Sequence, residues 1–384
     1  MQYTSMESDL TQFDQPMVDF VGDETVRRFN WTLFIVQLLI MAVGIWNLSS
    51  ATTVEDKSLG LYRSQLVWFG IGMGITGLIL FFHYSVFSRL GYLIYFGNLL
   101  MLIVVLIFGK THLGAKRWLS IGGLGIQPSE LMKVSLVIGL AKYFETDKNF
   151  GGYRLREILL PAILTLIPAG LIVIQPDLGT ALILILTFVS MMLFIRIHPR
   201  TLLILITVAV VSVPIAYKYG LKPYQRQRII SFLDPMSDPH GANYNQKQSM
   251  IAVGSGKLVG KGYQKGTQSQ LKFLPEHHTD FIFSVFAEEH GFVGAFILVL
   301  LYMIFLLNGI SIAYKSNDKF ALLLSIGIVT IFFWHITINL GMVTGLLPVV
   351  GVPLPYMSYG GSFVVTCTIG VAILLNISSK KFMF

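Results

Sequence analysis

Long apolar runs separated by short polar segments make up most of this chain. A helix needs roughly 20 mostly apolar residues to cross a bilayer, and ten successive runs reach or approach this length. The pattern predicts an all-α polytopic membrane protein with about ten transmembrane helices. The runs are Trp31–Ser50, Leu66–Phe82, Leu90–Phe108, Leu131–Tyr143, Ile158–Ile174, Leu178–Phe194, Thr201–Tyr219, Phe292–Ala313, Phe320–Leu340 and Val352–Ile377.

The polar positions divide the chain into a tail, a membrane domain and one large loop. We expect residues 1–30 to form a cytoplasmic N-terminal tail and residues 31–384 to form the ten-helix domain. The large loop, residues 220–279, connects the seventh and eighth spans. The first span follows two arginines without a small-residue cleavage site, so we expect it to remain as an anchor. The tenth run contains Pro353 and Pro355, so we expect irregular backbone before its helix.

Composition excludes a soluble, secreted, fibrous or disordered protein. Of 384 residues, 54% are hydrophobic and 12% are charged, with a mean hydropathy of +0.69; an ordinary soluble domain carries about 25% charged residues. The net charge of +8 more often orients the loops of a membrane protein than binds nucleic acid, so we expect no nucleic-acid partner. Cys367 is the single cysteine of the sequence, which excludes an intramolecular disulfide.

Basic residues in the short loops predict the orientation, because cytoplasmic loops carry the excess of lysine and arginine. Thirteen lie on the side of the termini and five on the other side. Both termini are therefore expected in the cytoplasm and the 220–279 loop outside. The thirteen are Arg27, Arg28, Arg89, Lys142, Lys148, Arg154, Arg156, Arg196, Arg200, Lys315, Lys319, Lys380 and Lys381; the five are Lys57, Arg63, Lys110, Lys116 and Arg117.

Two polar sites, the Glu130–Lys133 pair and Asp177, lie at the start of predicted spans. Pro128 marks a helix start, and Glu130 and Lys133 follow three residues apart on one face, where they can pair inside the bilayer. The alternative is a pair that only satisfies itself at a helix N-terminus. Asp177 lies in the tight QPDLGT turn, where an acidic residue caps a helix more often than it performs chemistry.

A third polar group leads from the large loop into the eighth span. If the helix starts at Asp280, the side chains of Asp280, Ser284 and Glu288 share one face and line a cavity. The alternatives are that Thr279 or Asp280 is only a helix cap and that Glu288 and Glu289 are solvated at the interface. The nearby histidines lack the spacing of a zinc site. From the residues alone, we expect either an enzyme that acts on a lipid-linked substrate or a transporter.

Four ordered motifs around these residues resemble the SEDS family (shape, elongation, division and sporulation) over about positions 114 to 362. They are GAKRWLSIGGLGIQPSELMK, QPDLGTAL, NYNQKQSMIAVGSGKLVGKGYQKGTQSQLKFLPEHHTDFIFSVFAEEHGFVG and GLLPVVGVPLPYMSYGGS. The resemblance implies a peptidoglycan glycosyltransferase that polymerises lipid II at the outer face of the bacterial cytoplasmic membrane during cell elongation. It also implies a class B penicillin-binding protein and other elongation-complex membrane proteins as partners. A division paralogue of the same family and a lipid-linked precursor flippase are the alternatives.

The resemblance also assigns candidate roles to residues. Asp280 takes the place of the family's essential loop aspartate, and Glu130 and Lys133 match its pair in the fourth span. Because glycosyl transfer from a lipid pyrophosphate needs a base for the attacking hydroxyl and positive charge for the leaving group, Asp280 is the expected base. A divalent cation, Mg²⁺ or Mn²⁺, is the cofactor this chemistry admits. Candidates for substrate binding or structural support are Glu130, Lys133, Arg117, Lys116, Asp177, Glu276 and Ser284, with Arg226, Arg228 and Lys261 as further basic candidates.

The orientation can be tested with reporter fusions. Alkaline phosphatase fused near Gly262 should be active, because that position is expected outside the cytoplasmic membrane. The same reporter fused near Asp318 should be inactive, because that position is expected in the cytoplasm. The reverse pattern of activities would overturn the predicted topology.

Overall fold

The computed structural model describes most of the membrane domain and part of the large loop. The described residues are 29–52, 59–112, 115–121, 124–146, 152–195, 197–215, 217–218, 223–233, 242–267, 278–316 and 318–379.

Helices account for most of the described chain, as the apolar runs predict. Those that precede the large loop are α1 (Trp31–Ala51), α2 (Leu59–Phe81), α3 (Ser85–Arg89), α4 (Gly91–Phe108), α5 (Pro128–Glu145), α6 (Leu155–Ile174), α7 (Leu178–Phe194) and α8 (Pro199–Ile215). Those within and after the loop are α9 (Pro223–Leu233), α10 (Ala242–Ser255), α11 (Ile282–Tyr314), α12 (Lys319–Val343) and α13 (Gly361–Ser379), and α11 is kinked at Gly291, whose φ of +66° is not helical.

Ten of these helices lie on the ten predicted apolar runs. Seven are long and apolar enough to cross a bilayer by length and composition alone. The other three are α5, which carries both members of the Glu130–Lys133 pair and a second charged pair, and the 17-residue helices α7 and α8. The all-α polytopic fold is therefore confirmed.

A small sheet between α4 and α5 is the feature that the apolar pattern missed. Strands β1 (Lys110–His112), β2 (Ala115–Ile121) and β3 (Leu124–Ile126) pair antiparallel in the order β1-β2-β3. The strands are short, and the alternation expected of a half-buried strand is difficult to recognise over so few residues. The sheet carries Lys116 and Arg117 on β2 and leads directly into α5.

The core is formed by the last two membrane helices, α12 and α13, and by α5, most of whose residues are buried. In the most apolar 18-residue stretch of each helix, 78% of the residues are buried in α12 and 83% in α13, against 22% in α2. Helix α12 packs against α5, α7 and α11, while α13 packs against α2. The outer helices expose apolar side chains such as Val67, Leu78 and Phe81, as expected for surfaces that face lipid.

The segment between α12 and α13 is irregular, as the prolines of the tenth run predict. We refer to residues 350–360 as the unwound segment. Gly351 has a φ of +75°, a conformation that favours glycine. Neighbouring helices satisfy its backbone: Tyr302 of α11 donates to the Pro355 carbonyl at 2.6 Å, and Gln65 of α2 donates to the Ser358 carbonyl at 3.1 Å. Non-helical backbone within a membrane protein requires such internal partners.

Helix α1 approaches the unwound segment closely at Gly44. A Cβ atom at Gly44 would collide with the Tyr356 carbonyl. A Gly44→Ala substitution should therefore push α1 away from the segment, and overpacking of this kind destabilises proteins by about 1–3 kcal/mol. We expect a lower apparent melting temperature of the purified protein in detergent.

Gly74→Ala is the matched control for Gly44→Ala. A Cβ atom at Gly74 would have no neighbour within 4 Å, and alanine favours a helix over glycine by about 1 kcal/mol. The Gly74→Ala melting temperature should therefore be unchanged or higher. Equal melting temperatures for the two variants would show that α1 does not depend on this close approach.

Candidate functional site

A short turn before α11 is fixed to the rest of the fold by all three of its carbonyl groups. The His278 carbonyl accepts a hydrogen bond from the Tyr359 amide at 2.9 Å. The Thr279 carbonyl accepts from the Ser358 hydroxyl at 2.6 Å, and the Asp280 carbonyl accepts from the Asn339 side chain at 2.9 Å. We call residues 278–280 the aspartate turn. Its backbone is held in one position by the unwound segment and α12.

Asp280 lies outside the helix and beside the unwound segment. Helix α11 begins at Ile282, and its N-cap residue is Phe281, without a side-chain capping bond. The interpretation of Asp280 as a helix cap is therefore wrong. Its side chain is half-buried, and Oδ2 lies 3.2 Å from the position that a Cβ atom would take at Gly351. The carboxylate thus stands at the edge of a glycine that leaves room for it.

Ser284 does not join Asp280 along a cavity, contrary to the expected polar face. Its hydroxyl lies 2.7 Å from that of Ser249 on α10, which in turn donates to the Val343 carbonyl at 2.8 Å. Because α11 begins two residues later than the sequence suggested, a turn separates Asp280 from the helical face that carries Ser284 and Glu288. Ser284 attaches α10 to the membrane helices.

Glu288 and Glu289 are both buried, so the interpretation that they are solvated at the interface is wrong. Glu288 pairs with the Lys261 ammonium at 2.6 Å and accepts from the Thr267 amide at 2.8 Å. Glu289 accepts from the Ser50 hydroxyl of α1 at 2.5 Å and from the backbone N–H of Gln264 at 3.1 Å. The two carboxylates attach residues 261–267 of the large loop to α11, and Glu289 links the same segment to α1.

The predicted pair on α5 forms, and it has a third member. The Lys133 ammonium lies 2.7 Å from Glu130 Oε2, with side chains 1% and 6% exposed, and 2.8 Å from His335 Nε2. His335 Nδ1 lies 3.0 Å from the Pro353 carbonyl. Because a carbonyl only accepts, Nδ1 carries the proton, and Nε2 is free to accept from Lys133. The pair is therefore connected to the unwound segment through a neutral His335.

Sequence reasoning missed His335 and Asn339, which lie four residues apart on α12. Asn339 donates to both the Asp280 and Val352 carbonyls. Both residues stand in the apolar run Phe320–Leu340, and polar side chains at membrane depth are rare and often functional. That signal was present in the sequence, although it did not reveal what they contact.

Asp177 is the N-cap of α7, as its position in a tight turn predicts. Its carboxylate accepts from the Thr180 amide at 3.2 Å and from the Gln127 side chain at 3.2 Å. The first turn of α7 also touches the unwound segment, because a Cβ atom at Gly179 would lie 2.9 Å from the Val350 carbonyl. Asp177 is thus a neighbour of the site through its helix.

The basic candidates have different surroundings. Arg117 donates to the Gln175 carbonyl at 2.9 Å and also bonds the Pro176 carbonyl, so it closes the end of α6. Lys116 is exposed on β2. Among the loop residues, Arg228 is partly exposed and donates to the Val349 carbonyl at 3.2 Å, directly before the unwound segment.

The other basic loop candidates bind elsewhere. Arg226 donates to the Lys218 carbonyl at 2.7 Å, and Lys261 pairs with Glu288 as described above. Glu276 lies outside the described residues. Within the described ranges, three or more His, Cys, Asp or Glu side chains do not gather into a group that could hold a metal ion. The divalent cation stays a prediction.

Comparison with known proteins places the chain in one family. Residues 28–382 match the family model described as cell cycle protein, which is named for FtsW, RodA and SpoVE. The chain belongs to this family, which confirms the resemblance to SEDS proteins. The peptidoglycan glycosyltransferase MrdB of Escherichia coli K12 is 35% identical over 346 residues, covering 90% of this chain and 93% of that protein. The peptidoglycan glycosyltransferase RodA of Treponema pallidum is 31% identical, covering 93% and 99%.

Solved structures agree with this placement. One chain in a structure described as the coordination of polymerization and crosslinking by a peptidoglycan synthase complex has a TM-score of 0.80 at 32% identity, covering 93% of this chain and 99% of that chain. The rod shape determining protein RodA of Thermus thermophilus has a TM-score of 0.68 at 28% identity, covering 91% and 96%.

The buried pair on α5 makes a prediction about stability. Lys133→Met leaves the Glu130 carboxylate buried without its ammonium partner, which destabilises a protein by about 3–5 kcal/mol. The double variant Glu130→Gln with Lys133→Met removes both charges and should be less unstable than Lys133→Met alone. Apparent melting temperature in detergent and the yield of monodisperse protein measure the difference.

A second pair on the same helix is the control. Lys142 and Glu145 have the same three-residue spacing at 2.9 Å, but their side chains are 26% and 32% exposed. Exposed pairs contribute about 0–1 kcal/mol, so Lys142→Met should change the melting temperature little. A Lys133→Met variant as stable as Lys142→Met would contradict the structural importance of the buried pair.

Proposed function

We propose that this chain, a peptidoglycan glycosyltransferase like its relatives, polymerises lipid II into glycan strands at the outer face of the bacterial cytoplasmic membrane, with Asp280 as the general base. The names of the E. coli and T. pallidum relatives support the activity. The relatives named MrdB and RodA favour a role in cell elongation over the division role of a paralogue. The proposed role of Asp280 rests on its position in the aspartate turn. All three backbone carbonyls of that turn accept hydrogen bonds from the unwound segment or from α12.

The orientation predicted from the basic residues supports an outward-facing site. The thirteen-to-five distribution of basic residues favours cytoplasmic termini, which puts the large loop and the aspartate turn on the outer side. A lipid-linked substrate in the outer leaflet would then reach Asp280 from the membrane.

Glycosyl transfer needs one proton acceptor and a stabilised leaving group. In the proposed step, the Asp280 carboxylate takes the proton of the attacking sugar hydroxyl, and the oxygen of that hydroxyl bonds to the anomeric carbon. The bond from that carbon to the pyrophosphate oxygen breaks with inversion, and the electron pair leaves with the lipid pyrophosphate. A held backbone suits this role, because a general base must stand about 2.6–3.2 Å from the oxygen it deprotonates.

The pyrophosphate requires positive charge close to the aspartate turn. Lys133 is enclosed by Glu130 and His335, so its contacts support a structural role better than direct contact with substrate. Arg228 is partly exposed and bonds the backbone beside the unwound segment, and a guanidinium carries five N–H donors. We therefore favour Arg228 over Lys133 as the group that meets the phosphates.

The transport alternative is less consistent with this arrangement. A flippase needs polar groups along the whole depth of its pathway, whereas the groups around Asp280 gather at one end of the membrane helices.

The partner we propose is a class B penicillin-binding protein, because a structural neighbour was solved within a peptidoglycan synthase complex. A chain that only activated such a partner would make no polymer with or without it.

Asp280→Asn tests the proposed base directly. Asparagine keeps the shape of the side chain but cannot take a proton, and general-base catalysis contributes about 100- to 10,000-fold in rate. We expect normal insertion and normal partner binding. The rate of polymerisation from lipid II should fall by at least about 100-fold. The assay uses the purified protein alone and in complex with its penicillin-binding protein.

Asp318→Asn is the control. Asp318 caps α12 by accepting from the Ala321 amide at 2.7 Å, and asparagine is an equally good cap. This variant should polymerise normally. Near-normal polymerisation by Asp280→Asn would end the catalytic assignment.

A further inference from the structure

One side-chain nitrogen joins the two segments that meet at the candidate site. Asn339 Nδ2 donates to the Asp280 carbonyl at 2.9 Å and to the Val352 carbonyl at 2.7 Å. A primary amide carries two N–H groups, so each carbonyl receives its own hydrogen. The side chain is fully buried on α12. The aspartate turn and the unwound segment are therefore held together through a core helix.

The second contact of Asn339 lies next to the Asp280 carboxylate. Val352 follows Gly351, the residue beside Asp280 Oδ2. Asn339 thus fixes the backbone of Asp280 and also the backbone of the wall against which its carboxylate rests. A shift of the Asp280 backbone relative to Val352 therefore strains or breaks at least one of the two bonds.

His335 makes α12 a rigid support for this arrangement. It lies four residues before Asn339, on the same helical face, and holds the Pro353 carbonyl at 3.0 Å. Two consecutive carbonyls of the unwound segment, those of Val352 and Pro353, are therefore attached to one helix. The aspartate turn receives its own attachment from the same face through Asn339.

We propose that Asn339 is a positioning residue for glycosyl transfer, which sets the place of the Asp280 carboxylate relative to the unwound segment. This inference rests on the proposed role of Asp280 as the base. Asn339 is enclosed behind both segments and acts on the reaction through Asp280. A displacement of about 1 Å at a reacting group lowers the rate by about 100-fold. The expected consequence of losing Asn339 is therefore a lower kcat with an unchanged KM for lipid II.

The residue type is specific to this task. Aspartate has the same shape but presents oxygen to two carbonyl oxygens, and alanine offers no donor. Serine offers one hydrogen, which serves one of the two carbonyls. The series Asn, Ser, Ala therefore removes the two attachments in steps.

The chain contains a matched control at Asn376. It is also fully buried in a membrane helix, and its Nδ2 donates to two backbone carbonyls, those of Ile79 at 2.6 Å and Phe82 at 2.7 Å. These carbonyls lie at the far end of α2 and one residue past it: Ile79 is 14 residues beyond Gln65, the residue that contacts the unwound segment, or about 21 Å along the helix. Asn376 thus has the same burial and bonding as Asn339, away from Asp280.

The experiment compares Asn339→Ala and Asn376→Ala in complex with the penicillin-binding protein, with Asp280→Asn in the same assay. Steady-state polymerisation of lipid II gives kcat and KM, and apparent melting temperature gives stability. Both alanine variants should lose similar stability, since each loses two buried hydrogen bonds. Only Asn339→Ala should lower kcat, by about 10- to 100-fold, with KM within about twofold of wild type.

The serine variants keep the test decisive if Asn339→Ala does not fold. Asn339→Ser should lower kcat less than Asn339→Ala does, whereas Asn376→Ser should leave kcat unchanged. Equal losses of kcat at positions 339 and 376, a raised KM alone, or a normal kcat in a folded Asn339→Ser would each overturn the positioning role. If Asp280→Asn polymerises normally, the base assignment fails; if Asp280→Asn is inactive while Asn339→Ala is normal, the positioning inference alone fails.

Discussion

The backbone of the unwound segment must find hydrogen-bond partners inside the membrane domain, and much of the described site follows from that requirement. An unsatisfied backbone group in an apolar environment costs several kcal/mol. Side chains from α2, α11 and α12 supply the bonds, through Gln65, Tyr302, His335 and Asn339. In return, the segment supplies two of the three donors that hold the aspartate turn, the Tyr359 amide and the Ser358 hydroxyl. The same bonds thus satisfy the interior and place Asp280.

The buried Glu130–Lys133 pair belongs to this arrangement. Its ammonium bonds His335, which bonds the carbonyl of Pro353. A charge pair in the interior contributes little net stability, because desolvation offsets the attraction, but its disruption is strongly destabilising. The pair therefore makes the position of α5 relative to α12 and the unwound segment specific. Because its two buried charges bond each other, α5 can lie in the core of a membrane protein.

The large loop is attached by carboxylates as well as by apolar packing. Glu288 and Glu289 bind residues 261–267, and Ser284 binds α10 through Ser249. These contacts lie on the first three turns of α11, directly after the aspartate turn. A displacement of the loop would therefore act on the helix that follows Asp280. The aspartate turn is thus bonded to the unwound segment and α12, and the helix that follows it is bonded to the loop.

The sequence by itself determined the ten helices, the Glu130–Lys133 pair, the Asp177 cap and the irregular start of the tenth run. Each depends on residues close together in the chain, so hydrophobic runs, three-residue spacing and prolines suffice to predict it. The family motifs added Asp280 as the candidate base. Only the tertiary structure decided that Asp280 lies beside Gly351, that His335 completes the buried pair, and that Ser284 faces α10. Those contacts join residues 35 to 202 positions apart, and the packing of whole helices, which local sequence patterns do not encode, brings them together.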